Sequence, residues 1–255
     1  MLAKPLTLPA EALARLVRME NLGELHVALK PTAKWRRKAI QEQIETLLRS
    51  EFQRMGLLDN RGRVDGEIAS SLAVVCRAGA EFYGWIKADG RTRGVLAAAI
   101  GREAVLAIRD GEDVTLIQIR PESLPMVLVA QLPEVPPAQG QQVSLLQSDL
   151  QAGASGRVRT EAGVGMRPAP PEVRMAQQIA QQPTVGGGEL YVAVRDRLGR
   201  RKTVPQPLRY ADTPTGRWLN YQTPTGDGGQ RILLKPATQS ELAGRLQEMH
   251  RALSG

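Results

Sequence analysis

Only one cysteine, Cys76, occurs among 255 residues, so no internal disulfide can form. Two histidines, His26 and His250, add too few donors for a structural zinc site. Aromatic residues make up 4% of the chain, with no pair spaced as a base-stacking platform. No apolar run approaches the roughly eighteen residues that suggest a membrane span. The opening MLAKPLTLPAEALARL lacks the basic, apolar and small-residue order of a secretory signal. A reducing, cytoplasmic setting without membrane insertion is expected.

Catalytic and cofactor signatures are missing as well. There is no GxSxG elbow, HExxH pair or DxDxDG loop. Gly186-Gly187-Gly188 precedes a strand pattern and lacks the GK[ST] or GxGxxG frame, so it reads as a flexible approach to a strand rather than a phosphate cradle. Asp59, Asp65, Asp110 and Asp113 sit where turns and helix N-caps use aspartate locally. His26 and His250 have no partner acid or nucleophile placed by the pattern, and His250 falls in the last turn of a helix, where a charge suits the dipole. These residues imply no enzyme, no metal and no cofactor.

What is present is charge and periodicity. The net charge is +8, which permits nucleic acid or acidic partners but also describes an arginine-rich surface. The densest basic run, Lys34-Trp35-Arg36-Arg37-Lys38, opens a helix, where the dipole disfavours cations. A solvated face or a contact with an acidic partner fits it better than helix stability.

Apolar spacing predicts helices over 10–21 (Leu13, Leu16, Val17) and 34–55, the latter with Ile40, Ile44, Leu47, Leu48, Phe52 and Met55 on its core face. A short strand is expected over 24–30. A helix starting at Asp65 precedes a strand meander over 82–119, in which VLAAAI has the two-sided apolarity of a central strand. A helix over 122–131 follows. Residues 133–165 are rich in Pro, Gly, Gln and Ala and read as a linker, with SLLQSDLQ as a short helix. A helix over 171–182, four strands and a helix over 238–252 complete the pattern.

Residues 56–132 and 163–250 therefore repeat one order: helix, about four strands, helix. A unit of that size buries its sheet face poorly alone, so two copies are expected to pair about a pseudo-twofold. The expected fold is α+β, with a central, mainly antiparallel sheet flanked by two helical bundles. An N-terminal half (1–132), a linker (133–165) and a C-terminal half (166–255) would form one domain.

Strand alternation sorts the C-terminal strands by parity. Even positions, including Leu190, Val192, Leu208, Tyr210, Trp218 and Ile232, read as core. Odd positions offer Tyr191, Arg195, Arg209, Arg217, Leu219, Tyr221, Arg231 and Lys235, a composition enriched at protein interfaces and the candidate partner surface.

Four ordered stretches resemble the EspG family of type VII (ESX) secretion. They are ENLGELHVAL (20–29), GLLDNRGRVDGEIASSL (56–72), EAVLAIRDGEDVTL (103–116) and GGGELYVAVRDRLGRRKTV…YADTPTGRW (186–218). The resemblance implies a central antiparallel sheet with two helical bundles related by a pseudo-twofold. It further implies a cytosolic chaperone that binds the apolar tip of a helical PPE protein in a PE–PPE pair, keeps it soluble and directs its export, using the sheet and the C-terminal helical bundle. No nucleotide or metal is implied. The chain departs from the family in its basic charge and in a short first hairpin loop, Lys87–Gly94. A basic nucleic-acid-binding protein is the alternative.

Overall fold

A computed structural model describes residues 2–33, 35, 37–150, 158–160, 163–165, 170–226 and 228–255. The helices are α1 (Ala10–Met19), α2 (Lys38–Arg54), α3 (Gly66–Arg77), α4 (Leu124–Val129), α5 (Pro171–Ala180) and α6 (Gln239–Ser254). The strands are β1 (Leu6–Pro9), β2 (Ala80–Ala88), β3 (Arg91–Ile100), β4 (Glu103–Asp110), β5 (Asp113–Ile119), β6 (Val143–Leu146), β7 (Val158–Thr160), β8 (Gly163–Gly165), β9 (Gly186–Arg195), β10 (Arg201–Thr203), β11 (Leu208–Thr213), β12 (Gly216–Pro224) and β13 (Gln230–Pro236). β7 and β8 pair only with each other. The rest form one sheet in the order β1-β5-β4-β3-β2-β9-β11-β12-β13-β6, with β10 also on β9. Every pairing in it is antiparallel.

The two meanders meet edge to edge where β2 pairs with β9, Tyr83 opposite Tyr191. Each is followed by a helix, α4 or α6, and these two helices touch on one face of the sheet. There Leu124, Leu128, Leu242 and Leu246 bury against Phe82, Ile86, Leu106, Leu190 and Val192. The opposite face carries α1 and α3 over the first meander, with Leu13, Leu16, Leu72 and Val75 packed on Leu96, Val105 and Leu116. β3 lies between both layers, and its Val95, Leu96, Ala97 and Ala98 are fully buried, as expected for a central strand. Apolar helix faces on both sides of a sheet build two cores from one set of strands.

Local signals act where they were read. Asp65 caps α3, its carboxylate accepting from the amides of Glu67 and Ile68. Thr238 and Glu241 form a capping box that starts α6. Asp59 organises its turn by accepting from the amides of Arg61 and Arg63. Cys76 packs half-buried on the α3 core, and burial pushes its thiol up to about 11, so it is not poised as a nucleophile. Among the described residues no helix is long and apolar enough to cross a membrane.

Three expectations change. Residues 24–30 form no strand; a 3-10 turn over Val27–Leu29 crosses the sheet face instead. Ala28 and Leu29 are buried, and the Ala28 carbonyl lies directly over Gly94 of β3. A Cβ at Gly94 would sit 2.0 Å from that oxygen, which backbone alone can relieve. Gly94→Ala is expected to cost about 1–3 kcal/mol by overpacking. A thermal unfolding midpoint equal to wild type would refute that account of the crossing.

Next, α2 does not bury the stripe assigned to it. Phe52 is buried and Leu48 half-buried, whereas Ile40, Leu47 and Met55 are exposed. Phe52 and Leu48 near its C-terminal end and the Arg15–Glu45 ion pair near its middle hold the helix, so periodicity gave the helix but not its cover.

The segment after α4 is a strap rather than a free linker as far as residue 146. Arg217 donates its amide to Pro136 O, and its own carbonyl accepts from Ala138 N. Val143–Leu146, expected to be helical, is β6 at the sheet edge, with helix only over 147–150. Most of 151–169 lies outside the described residues.

Candidate functional site

Parity does not carry across the second meander. β9 and β11 pair with Leu208 opposite Leu190, which keeps even residues on one face. β11 and β12 pair with Tyr210 opposite Leu219, which exchanges even for odd. The candidate comb is thereby divided. Tyr191, Arg195 and Arg209 lie on the face of α1 and α3, whereas Arg217, Leu219, Tyr221, Arg231 and Lys235 lie on the face of α4 and α6. A two-residue pleat makes register, not numbering, the arbiter of face.

Two of the second group are not surface residues. Leu219 is 1% exposed in the core beneath α6. Arg217 is fully buried, with Nε 2.6 Å and Nη2 2.8 Å from the two carboxylate oxygens of Asp212. Its Nη2 also donates to Pro133 O at 3.0 Å, and the guanidinium lies 4.9 Å from the Tyr210 ring centre. Gly186 and Gly188 of β9 make room for this group. A Cβ on Gly188 would stand 2.8 Å from the Tyr210 ring, and one on Gly186 would stand 3.1 Å from the Lys87 carbonyl oxygen and in contact with Asp212. The triglycine is thus built into the strand and is not a flexible approach to it.

The remaining members have ordinary partners. Tyr221 lies under the Arg245 guanidinium at 4.5 Å, and Lys235 donates to Glu241 at 2.9 Å. Arg231 donates to the Ser144 hydroxyl at 3.2 Å. On the other face, Arg209 donates to Glu189 at 2.8 Å, as does the Tyr191 hydroxyl. Those two bonds hold the exposed Glu189 carboxyl below its usual range. Burial together with Glu189 pushes the Tyr191 phenol up to about 12.

Near Tyr191 lies a buried carboxylate that the sequence reading did not identify. Glu81 of β2 is 3% exposed. Arg201 Nε donates to it at 2.8 Å, Arg195 Nη2 lies at 3.6 Å, and His26 Nε2 at 3.4 Å. His26 therefore does have an acid partner. Burial opposes ionisation of Glu81, but hydrogen bonds from His26 and Arg201 prevail and hold its pKa low. His250 differs from expectation too: it stacks on Phe82 at 5.3 Å, and burial lowers its pKa, favouring the neutral ring.

The groove opens beside this cluster. α1 and α3 cover the first meander, and α5 covers only the far edge, where Val173 and Ala176 meet Val143, Leu145 and Ile232. Between them, among the described residues, the face of β9, β11 and β12 is left uncovered, forming a cleft of about 820 Å³. Its walls are Trp85 and Lys87 on one side and Ala176, Ile179 and Ala180 of α5 on the other. The floor runs through Gly187, Arg209, Ala211, Trp218 and Gln222. Of the candidate comb, Arg209 lies on this face; Tyr221 borders the cleft from its strand, but its ring packs under Arg245 on the other face. Trp85, Trp218 and the α5 wall were not singled out as site residues. The small residues of the triglycine were their one sequence signal, and it marks close backbone approach.

The fold has a counterpart among solved structures. The structure superposes on the Mycobacterium tuberculosis type VII secretion system chaperone EspG5, solved in complex with a PE25–PPE41 dimer, with a TM-score of 0.68. That likeness covers 96% of this chain and 95% of EspG5 at 14% identity, and so establishes a shared fold. The sequence matches no curated protein. A sequence model of the EspG family does match, over residues 9–248, nearly the whole length, and the chain therefore belongs to the EspG family.

Proposed function

We propose that this protein is a cytosolic, non-catalytic chaperone of a type VII secretion system, and that it holds the apolar tip of a PE–PPE-like helical pair. Family membership and the likeness to EspG5, whose structure contains PE25–PPE41, support the substrate class. The observation that carries the reading is the open cleft between β9–β11–β12 and α5. Trp85, Trp218, Ile179 and Leu145 give it an apolar lining, and Arg209, Glu189 and Gln222 stand among them. An exposed apolar helix tip is an aggregation liability, and a sheet-and-helix cleft buries it reversibly without chemistry. Charge alone favours a nucleic-acid binder, but the aromatics are committed elsewhere. Tyr83, Tyr191 and Trp85 pack on one another, and Trp35 is the one fully exposed ring.

Size-exclusion chromatography with a cognate PE–PPE-like helical pair is expected to give a 1:1:1 complex. Arg209→Glu with Gln222→Trp, neither side chain buried, should weaken it by at least about tenfold. Arg231→Glu with Lys235→Glu, on the opposite face, should leave it unchanged. The reverse pattern would move the site to the face of α6, and no complex with either protein would remove the chaperone reading.

A further inference from the structure

We propose that the N-terminal end of α2 docks this protein on an anionic lipid surface. The proposal stands apart from the cleft and from any cargo in it.

Two features meet at this end of the molecule. The first is apolar: Trp35 is 88% exposed, and Ile40 and Leu47, two turns apart on one stripe of α2, are 47% and 69% exposed. α2 is held by Phe52 and Leu48 near its far end and by the Arg15–Glu45 pair near its middle, and Ile40 and Leu47 of its stripe stand in solvent. Large exposed apolar side chains gathered on one stripe mark a surface that meets something.

The second is charge. Lys34, Arg36, Arg37 and Lys38 flank Trp35 in a run of five residues, and Arg37 is exposed. No acid follows until Glu42. Further along α2, Glu45 pairs with Arg15, and Glu51 pairs with Arg54. The run leads directly into the first turn of α2, where the dipole opposes cations, so helix stability does not account for its place in the sequence.

An anionic bilayer answers both features at once. Its headgroups neutralise the cations that the sequence places in the 34–38 run, its interfacial zone takes an indole, and the acyl boundary takes Ile40 and Leu47. A second copy of the chain would cover the stripe but would bring two cationic runs together. Nucleic acid would satisfy the charge and leave the aliphatic stripe wet. Among the described residues no helix is fit to span a membrane, so the contact is peripheral and reversible.

Co-sedimentation of the full chain with vesicles tests the idea. Wild type should bind phosphatidylglycerol–phosphatidylcholine vesicles, ignore pure phosphatidylcholine, and be released by high salt. Trp35→Ala and Arg37→Glu should each weaken vesicle binding by about tenfold, and Leu47→Ser by about threefold. All three side chains are exposed, so circular dichroism should match wild type. Binding that ignores lipid charge, binding unaffected by the variants, or no binding at low salt would each overturn the proposal. So would a dimer in solution that Leu47→Ser dissolves while vesicles stay unbound.

Discussion

Arg217→Ala is expected to lower the unfolding free energy by about 3–5 kcal/mol, the loss seen when one partner of a buried ion pair is removed. Asp212 is left 2% exposed, with both of its guanidinium contacts gone. Rehydration is blocked from above by the Tyr210 ring and from the side by the Pro133–Ala138 strap, which Arg217 itself holds through side chain and backbone. The measurement is a urea titration, read as a shift in midpoint at constant slope. Replacing both partners, Asp212→Leu with Arg217→Met, should recover most of the loss, because an apolar pair of similar volume carries no desolvation cost. A single variant within about 1 kcal/mol of wild type would show that Asp212 reaches water by another route.

Glu81→Ala should cost about 3 kcal/mol, a little less because Arg195 and Arg201 are partly exposed and can rehydrate. His26 cannot, since its side chain is 7% exposed beneath the 3-10 turn. The loss should therefore loosen residues 26–29 and the β9–β10 hairpin together, visible as faster amide exchange in both. Acid titration gives an independent check. The folded Glu81 carboxyl has a depressed pKa, so its contribution is fully present above the ordinary carboxylate value of about 4.3 and is lost as pH falls through the folded value. The stability gap between wild type and Glu81→Gln should be widest near neutrality and close in acid. A gap that widens in acid would contradict the assignment.

Much of the fold was legible because its signals are local. The Asp65 cap, the meander's alternation and the two-sided apolarity of β3 each depend on residues within a turn or a strand. The failures share one cause, which is that they depend on what lies opposite. Ile40 and Leu47 have the spacing of a buried stripe, but spacing cannot supply a partner layer. The Val143–Leu146 run was overridden by an open edge of β13 that could pair with it. Arg217 was read as a surface cation because long charged side chains are seldom fully buried, and its acid stands on the neighbouring strand.

The sequence by itself determined the class of molecule. Composition set the expectation of a binding protein, and four ordered stretches pointed to the family whose sequence model the chain matches. Those conclusions need only composition and order along the chain. The tertiary structure alone decided which faces the candidate residues share and where a cleft opens. The odd register sum between β11 and β12 put Arg209 on one face and Lys235 on the other, and the gap between α1–α3 and α5 opened the cleft. Sheet register and layer coverage are relations between distant segments, and no window of sequence contains them.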